Sequence, residues 1–141
     1  MTAREVLARL AAATRAEVAV RQGAGAGGEG EGTASASGDG GAVVVAETGE
    51  WRYGDARPMR WRAVSRWRAD GEALAVEHVR QGTPARAVLD RQPGGRWQAR
   101  APHACGDDLY VAALECDADA VVVTWTVSGP CKSARITTRY R

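Results

Sequence analysis

The chain has 141 residues, 45% of them apolar, which is material enough for one domain core without a disulfide or metal to hold it. Its 19 basic and 17 acidic residues leave a net charge of +2, too even to predict steering toward nucleic acid or an anionic membrane. No apolar run approaches the ~20 residues of a membrane helix, no secretory h-region follows Met1, and an odd count of three cysteines without a C-x-x-C pair does not suit a secreted disulfide framework, so a cytoplasmic protein is expected.

Residues 1–13 open with a helix. Val6, Leu7 and Leu10 form a narrow apolar stripe, and Thr2 with Glu5 makes a capping box. From Thr14 the hydrophobic period falls to two. Glu17–Arg21 reads as a strand, and residues 22–32 read as a flexible Gly-rich loop. Thr33–Ser37 alternates small residues, Gly38-Asp39-Gly40-Gly41 reads as a hairpin turn, and Ala42–Glu47 is the next strand.

Pro58–Arg68 carries the plainest strand signal. Arg60, Arg62, Arg66 and Arg68 share one face, and Met59, Trp61, Ala63, Ser65 and Trp67 share the other. Further strands are predicted at Leu74–Arg80, Ala85–Asp90, Trp97–Pro102, Leu109–Cys116, Ala120–Ser128 and Ser133–Tyr140, separated by Gly, Pro and Asp turns. About ten short strands joined by hairpin-sized links imply a sandwich or a barrel. Closure removes the exposed edges that a sandwich leaves, and small residues beside Trp suit a barrel with internal space. The fold expected is therefore all-β, an antiparallel up-and-down barrel spanning 1–141 with the short helix on its rim.

The reactive side chains gather late in the chain. His103, Cys105 and Asp108 are of types that bind zinc, but the spacing of a structural zinc site is missing, so no metal is expected. Cys105 with His103 and Asp108 also has the composition of a nucleophile system, without a motif to activate the thiol, and no catalytic residue is assigned. Gly106 permits a bend, Asp107 or Asp108 holds it, and Tyr110 enters a strand. In Val121–Ser128, Val121, Val123, Trp125 and Val127 share one face while Val122, Thr124, Thr126 and Ser128 share the other; the pattern does not say which points inward. Gly129-Pro130 turns the chain toward Lys132, its single lysine, which would suit a carboxylate or phosphate if it stood at a pocket mouth. The Arg60–Arg68 row is read as an outer barrel face paired with Glu47, Glu50, Glu72 and Glu77, not as a nucleic-acid stripe.

The segments His103-x-Cys105-x-x-Asp108-x-Tyr110 and Trp125-x-Val127-x-Gly129-Pro130-x-Lys132, with the Tyr140-Arg141 end, resemble a family of small bacterial proteins of unknown function. That family is similar to the calycins, whose lipocalin and fatty-acid-binding barrels take small ligands. Cys131 and Ser133 stand where the resemblance implies Arg and Asp, which weakens any anion clasp there. The expected function is small-molecule binding through His103, Cys105, Asp108, Tyr110, Trp125 and Lys132, with no cofactor, nucleic acid or membrane partner, and enzymatic activity is left open. Two alternatives stand beside it: a haem or metal barrel using His103 or His78, and a small enzyme with Cys105 as nucleophile. The sequence is silent on ligand identity and oligomeric state.

Overall fold

The computed structural model describes residues 1–23, 25, 27–79 and 82–141. Helix α1 (Ala3–Ala11) precedes eleven strands: β1 (Arg15–Gln22), β2 (Gly27–Asp39), β3 (Ala42–Tyr53), β4 (Met59–Asp70), β5 (Ala73–Val79), β6 (Ala85–Arg91), β7 (Arg96–Ala99), β8 (His103–Cys105), β9 (Asp108–Cys116), β10 (Val121–Gly129) and β11 (Lys132–Tyr140). The predicted end of the fifth strand at Arg80 lies outside the described residues.

Every pairing is antiparallel, and ten of the strands form a ring. The ring closes where β11 returns to β1, with Ala16 opposite Tyr140 and Gln22 opposite Ala134. The eleventh strand, β8, is a short piece that pairs with the start of β9 above β7. The predicted strand Trp97–Pro102 is thus divided: the chain leaves the wall after Ala99 and rejoins it at His103.

Alternation decides which side chains fill the ring. On β4, Trp61, Ala63, Ser65 and Trp67 are buried while the arginines face solvent, as the sequence pattern predicts. On β10 it is the Val121/Val123/Trp125/Val127 face that points inward, so the wall there is apolar. The interior is one cluster of Val, Leu, Ala and Trp. The buried indoles find local partners where they can: Trp67 Nε1 donates to Ser65 Oγ at 2.9 Å.

Two expectations need correction. Residues 22–32 are not a loop throughout, because Gly27–Gly32 begins β2. Gly28, Gly30 and Gly32 alternate with Glu29 and Glu31, so glycine faces inward and glutamate outward, with Glu31 paired to Arg15 at 3.2 Å. A Cβ at Gly28 or Gly30 would strike Trp51, so the glycine stripe is the bed on which an indole lies. Second, Glu47 does not pair with the outer arginines. It is 1% exposed, inside the ring, where its Oε1 accepts from Trp61 Nε1 at 3.2 Å and its Oε2 from the Tyr140 hydroxyl at 2.5 Å.

Helix α1 closes one end of the ring. The Thr2 hydroxyl accepts from Glu5 N–H, and the Glu5 carboxylate accepts from Thr2 N–H. Donation from the Thr2 backbone N–H, and then from its side chain, holds the Glu5 carboxyl below its ordinary range. Val6 and Leu10 are fully buried, and burial of each contributes about 1.5–3 kcal/mol. Arg9 donates to the Asp117 carbonyl at 2.7 Å, tying the helix to the β9–β10 turn. That turn is tied to β11 in its own right: Arg139 reaches Asp117 at 2.6 Å and Asp119 at 3.0 Å. The Arg139 guanidinium, assisted by backbone donation from Asp119, lowers the Asp117 carboxyl to about 2.

Candidate functional site

Strand direction gives the barrel two unlike ends. At the helix end, inward residues such as Trp67, Leu74, Leu89, Trp97 and Val121 are 1% exposed or less. At the other end, inward Trp51, Tyr53, His78 and Tyr110 are half-buried. An inward side chain on a closed wall meets water only through the interior, so this second end is a mouth.

The β8–β9 hairpin and the β10–β11 turn form one lip of that mouth. Register sets His103 opposite Tyr110 and Cys105 opposite Asp108, while Tyr110 also faces Val127 on β10. Tyr110 is the hub. His103 meets it edge-on with ring centroids 6.3 Å apart, and Lys132 Nζ lies 5.9 Å from its centroid, within cation–π reach. The Asp108 carboxylate rests over the Cα of Gly129, where any side chain would displace it. That contact accounts for Asp and Gly together in the two sequence segments. The recorded ring contact of His103 is with Tyr110, and Cys105 is a half-buried free thiol.

Trp125 sits one inward position deeper on β10 than Val127, and its ring centroid is 5.9 Å from that of His78 on β5. Across the mouth, Trp51 and Tyr53 of β3 pack edge-to-face at 4.8 Å. Five of the six sequence-predicted residues therefore gather at the lip, and Trp125 lies below them. The sequence reading missed Trp51 and Tyr53, placed Glu47 on the outer face, and kept His78 as an alternative haem or metal ligand. Their signal is parity: Val45, Glu47, Gly49, Trp51 and Tyr53 alternate along one continuous strand.

Four buried polar atoms among the described residues make no hydrogen bond: Tyr53 Oη, Trp97 Nε1, Trp125 Nε1 and Arg139 Nε. Trp97 lies at the helix end, and Arg139 belongs to the turn network. Tyr53 and Trp125 belong to the mouth. Strands β3 and β10 stand four places apart in the ring of ten, so these two donors project from nearly opposite walls. A buried donor without a partner costs about 1–3 kcal/mol, which an acceptor between the walls would recover.

The mouth is lined by rings rather than held wide. Concavities of about 440, 430 and 610 Å3 lie on the outer wall and the rim. Among the described residues no three His, Cys, Asp or Glu side chains converge as a metal ion requires. Cys116, on the last turn of β9 near Arg9, has its thiol pushed up by burial, which disfavours the nucleophilic thiolate. Among the described residues no helix is long and apolar enough to cross a membrane.

The model of a family of unknown function, DUF6314, matches residues 10–141. No functionally curated protein matches the chain. Among solved structures, an S-type phycobiliprotein lyase from Guillardia theta is similar, with a TM-score of 0.68 over 99% of this chain and 92% of that one, at 10% sequence identity. At that identity the likeness bears on fold, and it agrees with the closed antiparallel barrel described above.

Proposed function

The chain belongs to the DUF6314 family, whose function is unknown, and we propose that it binds one small molecule in the mouth of its barrel. The observation that carries this reading is Trp125 Nε1, a buried donor with no partner at the base of a half-exposed aromatic ring of side chains. A ligand suited to it is compact, largely apolar or aromatic, and bears a hydrogen-bond acceptor for the indole N–H. Tyr53 offers a second donor from the far wall. Lys132 at the lip suits a carboxylate or other anion at the ligand's outer end. The similar barrel of a phycobiliprotein lyase is in keeping with a ligand-handling use of this architecture.

Native mass spectrometry of protein purified from its own host tests the proposal. The expected result is a co-purifying mass that is lost from the His103→Ala/Tyr110→Leu variant while that variant keeps its far-ultraviolet dichroism. A wild-type protein that carries no extra mass and takes up none from host extract would overturn it. So would full occupancy of the folded double variant.

A further inference from the structure

The outer wall carries a second feature, which touches the mouth only at His103. A groove of about 440 Å3 lies across β4, β5, β6 and the Arg100–Pro102 link. Arg66, Arg68, Arg86 and Arg100 line it, with Glu77 as its one carboxylate, in a chain whose whole excess is +2. Its position follows from the division between β7 and β8. The β6–β7 ladder reaches up to the bond from Arg100 N–H to the Val88 carbonyl, and there the chain leaves the wall. The upper edge of β6 therefore borders a trough, with Val88 and Pro102 among the apolar groups that line it.

Three of these guanidiniums already hold carboxylates. Arg66 meets Asp39 at 2.6 Å, Arg86 meets Glu77 at 2.8 Å, and Arg100 grips both oxygens of Asp90 at 2.7 and 2.9 Å. The Arg66–Asp39 and Arg86–Glu77 pairs are single exposed contacts of a kind worth about 0–1 kcal/mol, so carboxylates from another molecule exchange for them at little cost, while the bidentate Arg100–Asp90 pair is held more firmly. Arg68 is exposed and forms no ion pair among the described residues. Nucleic acid is the poorer occupant. The indoles of β4 face inward, and His103 is the one aromatic ring among the lining residues, so successive bases find no stacking platform.

We propose that this groove docks an extended acidic segment of a protein partner. Its carboxylates take Arg68 and displace the chain's own Asp39 and Glu77, and its apolar residues lie along Val88 and Pro102. The groove meets the lip of the mouth at His103, but its four arginines stand on the outer wall, so docking there does not depend on a ligand in the mouth.

Fluorescence anisotropy with fluorescein-labelled hexaglutamate, and with an oligothymidylate of equal charge, tests the proposal on the full chain. Hexaglutamate should bind saturably and at least as well as the oligothymidylate at equal ionic strength. Arg68→Glu should weaken it by about tenfold or more, and Arg86→Glu should repeat the loss. Arg21→Glu, an equal charge change on exposed β1, should change it by less than about twofold. Dichroism melts confirm that each variant is folded. Absence of saturable hexaglutamate binding, equal losses from Arg21→Glu and Arg68→Glu, or tighter oligothymidylate binding would each overturn the proposal.

Discussion

Replacing Tyr140 by Phe removes one oxygen from the barrel interior and nothing else. Tyr140 is 3% exposed, and its hydroxyl donates to Glu47 Oε2 at 2.5 Å. Glu47 is 1% exposed, so bulk water does not replace the lost donor. A buried acceptor deprived in this way costs about 1–3 kcal/mol. With an unfolding entropy near 2.1 cal/mol/K per residue over a chain of 141 residues, each kcal/mol moves Tm by roughly 3 °C. Tyr140→Phe should therefore melt about 3–10 °C below wild type in a far-ultraviolet dichroism scan. Glu47→Leu deprives two donors, Trp61 Nε1 and the Tyr140 hydroxyl, and should cost more. In the Glu47→Leu background, the further change Tyr140→Phe should cost less than in wild type, because its bond to the carboxylate is already gone. The double-mutant cycle should return a coupling of about 0.5–3 kcal/mol. An unchanged Tm for Tyr140→Phe, or strict additivity in the cycle, would refute this account of how the carboxyl is held.

Other positions give shorter tests. Gly49→Ala would drive a methyl into the Trp61 ring and the Glu31 carbonyl, and overpacking of this kind should lower stability by about 1–3 kcal/mol in a urea titration. Thr2→Ala removes the hydroxyl that caps α1 and should cost about 0.5–2 kcal/mol by the same measurement, with Thr2→Ser restoring most of it. Asp117 has a folded-state value of about 2 against an ordinary 3.8, so its ionised form favours the folded barrel. That contribution is complete above the ordinary value and is lost as pH falls through about 2, so wild type should lose more stability than Asp117→Asn across this window. Identical acid limbs for the two proteins would contradict the Arg139–Asp117 link.

Much of the barrel is legible in the sequence because alternation reports a half-buried strand directly. Pro58–Arg68 shows this best: its arginines and tryptophans divide between solvent and core as the period of two requires. Alternation fails where one face has no side chain. Gly28-Glu29-Gly30-Glu31-Gly32 carries the period, but glycine contributes no apolar signal, and what makes those residues a strand is the Trp51 ring lying on them from β3. It also fails at Val43-Val44-Val45, where an apolar run hides the parity that would have placed Glu47 inside. The lip of the mouth was legible as a set, because His103, Cys105, Asp108 and Tyr110 share one hairpin and Lys132 lies one turn away. The opposite wall was not, since only ring closure brings Trp51, Tyr53 and His78 round to face Trp125.

The indole N–H resonances of the five tryptophans test the ligand reading most directly. On addition of the small-molecule fraction of host extract to 15N-labelled protein, the Trp125 signal should shift as its N–H gains an acceptor. The Trp67 signal, already bonded to Ser65, should stay in place. A Trp125 resonance unmoved by an extract that native mass spectrometry shows to load the protein would contradict binding in the mouth.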